Sequence, residues 1–296
     1  AQLLTINGAL NIGSAESGFV TGATRSAREY GLHVEELDNV EVRARFPGYQ
    51  LPDGIVALYD PEAGFLRPER CTAAHQELAR NHGAKLHFST PVLEWGADGN
   101  GVWVRTANER VTAGKLVITA GPWSKGVLAG WDLPLVVWRI VNVHFDSTAP
   151  ERFAPEQCPV FLMEVPEGHY YGFPALPGQG VKIGRHDIGA VCTPETIDRT
   201  VRADEIAMLR NVLDAYMPGA SGPVIRTLTC MYTNTPDQHF ILDRHPAHEN
   251  VVVGCGFSGH GFKFASAVGE VLSQLALEGR SRIDVGYLST GRPALA

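Results

Sequence analysis

Two short strands and one glycine-rich turn carry the side chains best suited to chemistry. In "QGVKIGRHD" (179–187) strand alternation sends Val181 and Ile183 to one side and Lys182, Gly184 and His186 to the other, so a cation and an imidazole share a face across a gap. In "LTCMYTNTPD" (228–237) Cys230 and Tyr232 share a face in the same way, with Met231 opposite, and Asn-Thr-Pro-Asp ends the strand. "GCGFSGHGFKF" (254–264) then puts glycines where backbone can approach a ligand closely, with Lys263 at its end. Cations, a thiol and close-approach backbone suit the binding and polarisation of an electron-rich small molecule. Each feature also has a plain counterpart: a solvated sheet face, a small buried hydrophobe at Cys230, an ordinary strand-to-helix turn.

The elements that must position these residues can be read from their spacing. Phe264, Ala265, Val268, Val271, Leu272, Leu275 and Ala276 recur close to a 3-4 spacing, predicting a helix with one buried stripe and Gly279 as its stop. The glycine turn therefore precedes a helix N-terminus, whose unpaired amides and partial positive charge of ~0.5 e suit an anion. Upstream, residues 1–13 read as a strand, 17–31 as a helix ending at Gly31, and 71–88 as a helix capped by Gly83 and followed by a strand. Residues 101–124 read as a hairpin leading into a buried strand that Pro122 closes. From about 135 to 235 strands alternate with Pro/Gly turns, broken by a helix near 203–216, which predicts a mostly antiparallel sheet.

Composition narrows the function classes. The chain has 296 residues, 44% of them hydrophobic, enough to bury a core in two lobes. Net charge is −7 and the basic residues are scattered singly, which argues against nucleic acid as a partner and for a small substrate. Only five of the 25 basic residues are lysines, at positions 85, 115, 125, 182 and 263, so a lysine within an apolar motif invites a specific explanation. Cys71, Cys158, Cys192, Cys230 and Cys255 are odd in number and widely spaced, suggesting neither a disulfide framework nor a thiolate zinc site. His245 and His248 in "HPAH" lack a metal-binding helix, and no metal is expected. With no apolar run of membrane-spanning length, no membrane association and a cytoplasmic location are expected.

The stretches "YYGFP" (170–174), "VKIGRH" (181–186), "CMYTNTPDQHFILDRHP" (230–246) and "GFSGHGFKFASAVGEVLSQLAL" (256–277) closely resemble the monomeric sarcosine oxidase family, as do "TAGPW" (119–123) and the closing "RPAL". This family of FAD-dependent amine oxidases includes N-methyltryptophan oxidase and pipecolate oxidase. The resemblance implies that Cys230 forms a thioether to the flavin 8α-methyl and that Lys182 lies near flavin N5, where its charge promotes reduction of O2. It implies that Lys263 binds the substrate carboxylate and that Tyr171, His186, Tyr232 and Gly259 line the substrate pocket. Ser258, Gly259, His260, Gly261, Phe262 and Lys263 match the turn that faces the flavin N1/C2=O edge. The implied reaction oxidises a small secondary amino acid to an imine, hydrolysed to amine and aldehyde, with O2 reduced to H2O2. Rival readings are an oxidase or dehydrogenase of a cyclic imino acid such as pipecolate or proline, and a flavin-less amino-acid-binding subunit.

The implied fold is α/β (α+β) and two-lobed: a Rossmann-like FAD domain, incomplete here, from 65–134 and 237–296, and a mostly antiparallel-sheet substrate domain from 1–64 and 135–236. The family's GxGxxG turn for the ADP half of FAD has no match. "GCGFSG" spells it but has no following strand and acidic residue at the usual distance. The family's N-terminal arginine, which shares the substrate carboxylate, is likewise missing. Three expectations follow: the segment belongs to a longer polypeptide, or to a second chain, or this is a variant that does not bind FAD.

Overall fold

A computed structural model describes residues 2–98 and 101–295; Ala1 and Ala296, the outer bounds of the expected domains, lie outside them, as do Gly99 and Asn100. The chain gathers into two compact units. The first comprises the chain up to Cys71 with Arg139–Ala190 and Asp198–Cys230; the second comprises Thr72–Trp138, Val191–Ile197 and the chain from Met231 onward.

The first unit is built on a large mixed sheet. Its strands lie in the order Val136–Phe145, Gly180–Arg185, Gly168–Leu176, Val160–Val165, Ala9–Ser14, Ile55–Asp60 and Glu35–Leu37, with Val224–Asn234 also pairing to Val136–Phe145. Successive neighbours along that order run antiparallel, except that Ala9–Ser14 lies parallel to Val160–Val165. Alternation makes one face apolar: Leu10, Ile12, Val143, Phe145, Phe161, Met163, Val181 and Ile183 are almost fully buried. Leu209, Val212, Leu213 and Tyr216, spaced three and four apart on the helix Ala203–Tyr216, join the same core. Each such side chain contributes about 1.5–3 kcal/mol through burial, so this face fixes the register of every strand. Gly172 serves that packing, because a Cβ there would lie 2.2 Å from the Phe161 ring.

In the second unit Ile241–His245, His248–Cys255 and Leu116–Ile118 form a three-stranded sheet, the last pair parallel. The His248–Cys255 strand is covered on both faces. Val251, Val253 and Cys255 pack with Val102, Leu128 and Leu135, while Val252 packs with Val271, Leu272 and Ala276 of the helix Ala265–Glu278. Burial on two sides explains why "VVVGC" is an uninterrupted apolar run. The strands Glu94–Asp98, Gly101–Arg105 and Arg110–Ala113 form an antiparallel meander.

Several predicted elements match in place. The helix Gly18–Tyr30 ends on Gly31 in the left-handed region, the helix Ala203–Tyr216 stops before Met217, and Gly279 caps the last helix with φ 74°. Others differ. The opening strand is two, Leu4–Ile6 and Ala9–Ser14, because Gly8 turns the chain at φ 78° and Asn7 donates to the carbonyl of Cys158. The helix expected over 71–88 is Pro68–Asn81, with proline suited to its first turn, and no strand follows Gly83 until Glu94. The last helix opens as a 3-10 turn, Phe262–Phe264; Phe264 and Ala265 are exposed, and burial along the stripe starts only at Val268.

Candidate active site

The face of the first unit's sheet opposite its core carries polar groups. Register pairs Lys182 with His144 and with Phe173, and pairs Gly184 with Asn142 and with Tyr171, so all six belong to one face. Lys182 Nζ stands 5.1 Å from the centre of the Phe173 ring and 5.9 Å from that of Tyr171. Among the described residues no hydrogen bond or ion pair reaches this ammonium. Its burial pushes its pKa below the usual lysine range, against a weaker opposite pull from Cys230 and Glu69.

Cys230 ends the part of the Val224–Asn234 strand that belongs to this unit. Its Sγ lies 3.4 Å from Asn142 Nδ2, and Asn142 Oδ1 accepts from Tyr171 Oη at 2.6 Å. Burial raises the thiol pKa, while the Asn142 hydrogen bond and the Lys182 charge act in the opposite direction. His186 lies just beyond its strand, its amide donating to the His169 carbonyl and its ring edge-on to Tyr171 at 6.1 Å. Tyr171, Lys182, His186 and Cys230 are thus brought together within this unit.

In the second unit the glycine turn packs on Tyr232. Gly259, at φ 77°, lies so close that a Cβ would be 2.3 Å from the Tyr232 ring. Ser258 is buried at φ 47°, its amide donating to the Thr233 carbonyl and its hydroxyl to that of Gly256. The amides of His260 and Phe264 are engaged by the carbonyls of Phe257 and Gly261. A ligand-facing role for backbone amides in this turn therefore narrows to Gly259, Gly261, Phe262 and Lys263. The His260 ring packs on Phe240 at 4.9 Å and meets the Gln238 carbonyl through Nε2. Lys263 Nζ donates to the His260 carbonyl at 2.8 Å, and burial pushes its pKa down. The closing "RPAL" braces the region, since Arg292 makes a two-pronged ion pair with Asp237 at 2.7 and 2.9 Å.

Sequence reasoning missed Asn142 and His144. His144 is 6% exposed; its Nδ1 meets the Gln179 carbonyl at 3.0 Å, and its buried Nε2 has no hydrogen-bond partner among the described residues. Burial pushes its pKa down against the opposing Gln179 hydrogen bond, with lesser effects of Lys182 and Arg226 in the same direction as burial. The available signal was two polar residues at period 2 inside the apolar run "VVWRIVNVHF". His245 and His248 stack on each other at 4.8 Å and pack against Trp95. Among the described residues, no three His, Cys, Asp or Glu side chains gather as a metal site.

Comparison with known proteins places the chain in a family. Residues 4–275 match the family described as FAD dependent oxidoreductase. The chain is 42% identical over 299 aligned positions to "Monomeric sarcosine oxidase" of Bacillus sp. (strain B-0618), covering 99% of this chain and 77% of that protein. It is 36% identical to "N-methyl-L-tryptophan oxidase" of Escherichia coli (strain SMS-3-5 / SECEC), covering 94% of this chain and 74% of the other. Among solved structures, NikD, described as an unusual amino acid oxidase, matches with a TM-score of 0.83 at 23% identity, covering 97% of this chain and 77% of its own. L-proline dehydrogenase from P. horikoshii matches with a TM-score of 0.80 at 21% identity, covering 97% and 76%. At these identities the two structures establish the shared fold.

Proposed function

The chain belongs to the FAD-dependent oxidoreductase family, in the group of the monomeric sarcosine oxidases and N-methyltryptophan oxidases, and on that premise we propose that this amine oxidase acts on a small N-methyl amino acid such as sarcosine. The amine becomes an imine, water hydrolyses it to primary amine and aldehyde, and O2 is reduced to H2O2. The observation that carries this reading is the half-buried Lys182 ammonium, reached by no ion pair among the described residues, on the sheet face that also holds the Cys230 thiol.

These residues fit a flavin. A desolvated cation and a nucleophilic sulfur match a ring that takes up negative charge and has an electrophilic methyl substituent. A bound flavin would supply the two-electron acceptor for the carbon beside the amine nitrogen and the route of those electrons to O2. Lys182 favours oxygen reduction by holding positive charge where superoxide-like character develops. Lys263, once it exchanges the His260 carbonyl for a ligand, binds the substrate carboxylate. Tyr171, His186, Tyr232 and Gly259 orient the amine, and Cys230 is the covalent tether. Residues outside these 296, on the same polypeptide or another, supply the ADP-binding part of the FAD site. No helix among the described residues is long and apolar enough to cross a membrane, and a cytoplasmic enzyme accords with five free cysteines.

Cys230→Ser tests the tether. Acid precipitation is expected to leave flavin on the wild-type protein and release it from the variant; flavin retained by the variant would refute the assignment.

A further inference from the structure

The contacts linking Tyr171, Asn142 and Cys230 have a direction. A tyrosine hydroxyl has one proton to give, and the Tyr171 Oη partner at 2.6 Å is the carboxamide oxygen of Asn142. In that orientation Asn142 presents its NH2, a donor only, to the Cys230 sulfur at 3.4 Å. Gly184 keeps the line open, because a Cβ there would lie 2.6 Å from Asn142 Oδ1 and 2.9 Å from Tyr171 Oη. Asn142 is only 3% exposed, so its polar ends depend on these partners rather than on water.

We propose that Asn142 is a positioning residue for Cys230: clamped by Tyr171, it donates to the sulfur and favours the thiolate over the thiol. This rests on the reading of Cys230 as the flavin tether and deepens it by assigning the group that readies the sulfur. A hydrogen bond from a neutral amide strengthens when its acceptor is charged, so it stabilises the thiolate more than the thiol. The Cys230 proton goes to solvent base and the electron pair stays on sulfur. Lys182 on the neighbouring strand helps by its charge. His144, Arg226 and Glu69 are the other titratable or charged groups in electrostatic reach of Lys182. Burial disfavours the charged form of His144, and Arg226 and Glu69 carry opposite charges. Asn142 is therefore the neutral donor whose removal changes no charge on this face.

The test uses the full chain produced without flavin and reads Cys230 alone. Iodoacetamide forms an S–C bond with the sulfur and iodide leaves, at a rate set by the thiolate fraction. Mass spectrometry of the Cys230 peptide separates it from Cys71 and Cys192, which are partly exposed, and from buried Cys158 and Cys255. Asn142→Ala should raise the pH midpoint of alkylation by about one unit, roughly tenfold less thiolate at a fixed lower pH. Tyr171→Phe, which preserves packing, should raise it by less because the amide is freed to turn. Near-UV circular dichroism checks that each variant is folded. An unchanged midpoint in folded Tyr171→Phe and Asn142→Ala would overturn the proposal. Adding FAD to the wild type and counting acid-stable flavin is scored separately. A shifted midpoint with no attachment upholds the role of Asn142 and defeats the tether.

Discussion

Gly259→Ala should damage the second unit by two separable routes. The new Cβ would stand 2.3, 2.4 and 2.6 Å from Cε2, Cδ2 and Cζ of Tyr232, more than about 1 Å short of the ~3.5–4.0 Å that carbon atoms prefer. Tyr232 is 7% exposed, so its ring cannot swing into solvent to relieve the overlap. Such overpacking costs about 1–3 kcal/mol. The backbone at φ 77° adds about 1–2 kcal/mol once a side chain is present. The total, about 2–5 kcal/mol, is a large part of the ~5–15 kcal/mol that holds a domain together. Denaturant unfolding of wild type, Gly259→Ala, Tyr232→Ala and the double variant separates the routes. In the Tyr232→Ala background only the backbone cost remains, giving a coupling of about 1–3 kcal/mol. Equal destabilisation in both backgrounds would show that the ring contact is not what requires glycine. The surviving Gly259→Ala enzyme should also show a raised KM, because Tyr232 is displaced.

Other perturbations probe the charges. Lys182→Met should slow flavin reoxidation by roughly 10²-fold while reduction changes little; stopped-flow measurement of the two half-reactions checks this, and equal slowing of both contradicts it. Asp237 is held well below the usual carboxylate range, chiefly by Arg292. Its folded pKa is therefore depressed relative to the unfolded chain, so the stabilisation is complete above about pH 4–5 and is lost as pH falls toward the folded value. Arg292→Ala should thus lower the unfolding midpoint at pH 7, and the gap from wild type should narrow below about pH 4. A gap that stays constant down to pH 2 argues against the pair.

What was legible in the sequence follows from how local each signal is. The opposed faces of Val181 and Lys182, and the helix stops at Gly31 and Gly279, depend on strand period and on the left-handed backbone glycine accepts. The pairing of Asn142 with Cys230 spans 88 residues and depends on which strands are neighbours, which no local pattern carries. For His144 the local signal is only a polar residue two places from Asn142 in an apolar run; its nearness to Lys182 depends on strand pairing. The glycine turn was read correctly as a strand-to-helix passage, but its amides were taken collectively. Two of them, those of Ser258 and His260, are spent on the carbonyls of Thr233 and Phe257, a tertiary detail beyond spacing. The split of the first strand turned on Asn7 reaching the carbonyl of Cys158, again a distant partner.

One spectrum tests the assigned reaction most directly. Sarcosine added without oxygen to the purified, flavin-loaded protein should bleach the flavin's visible absorption, and admitting air should restore it with release of H2O2. A flavin band that persists unchanged against sarcosine and larger N-methyl amino acids would contradict the assigned reaction.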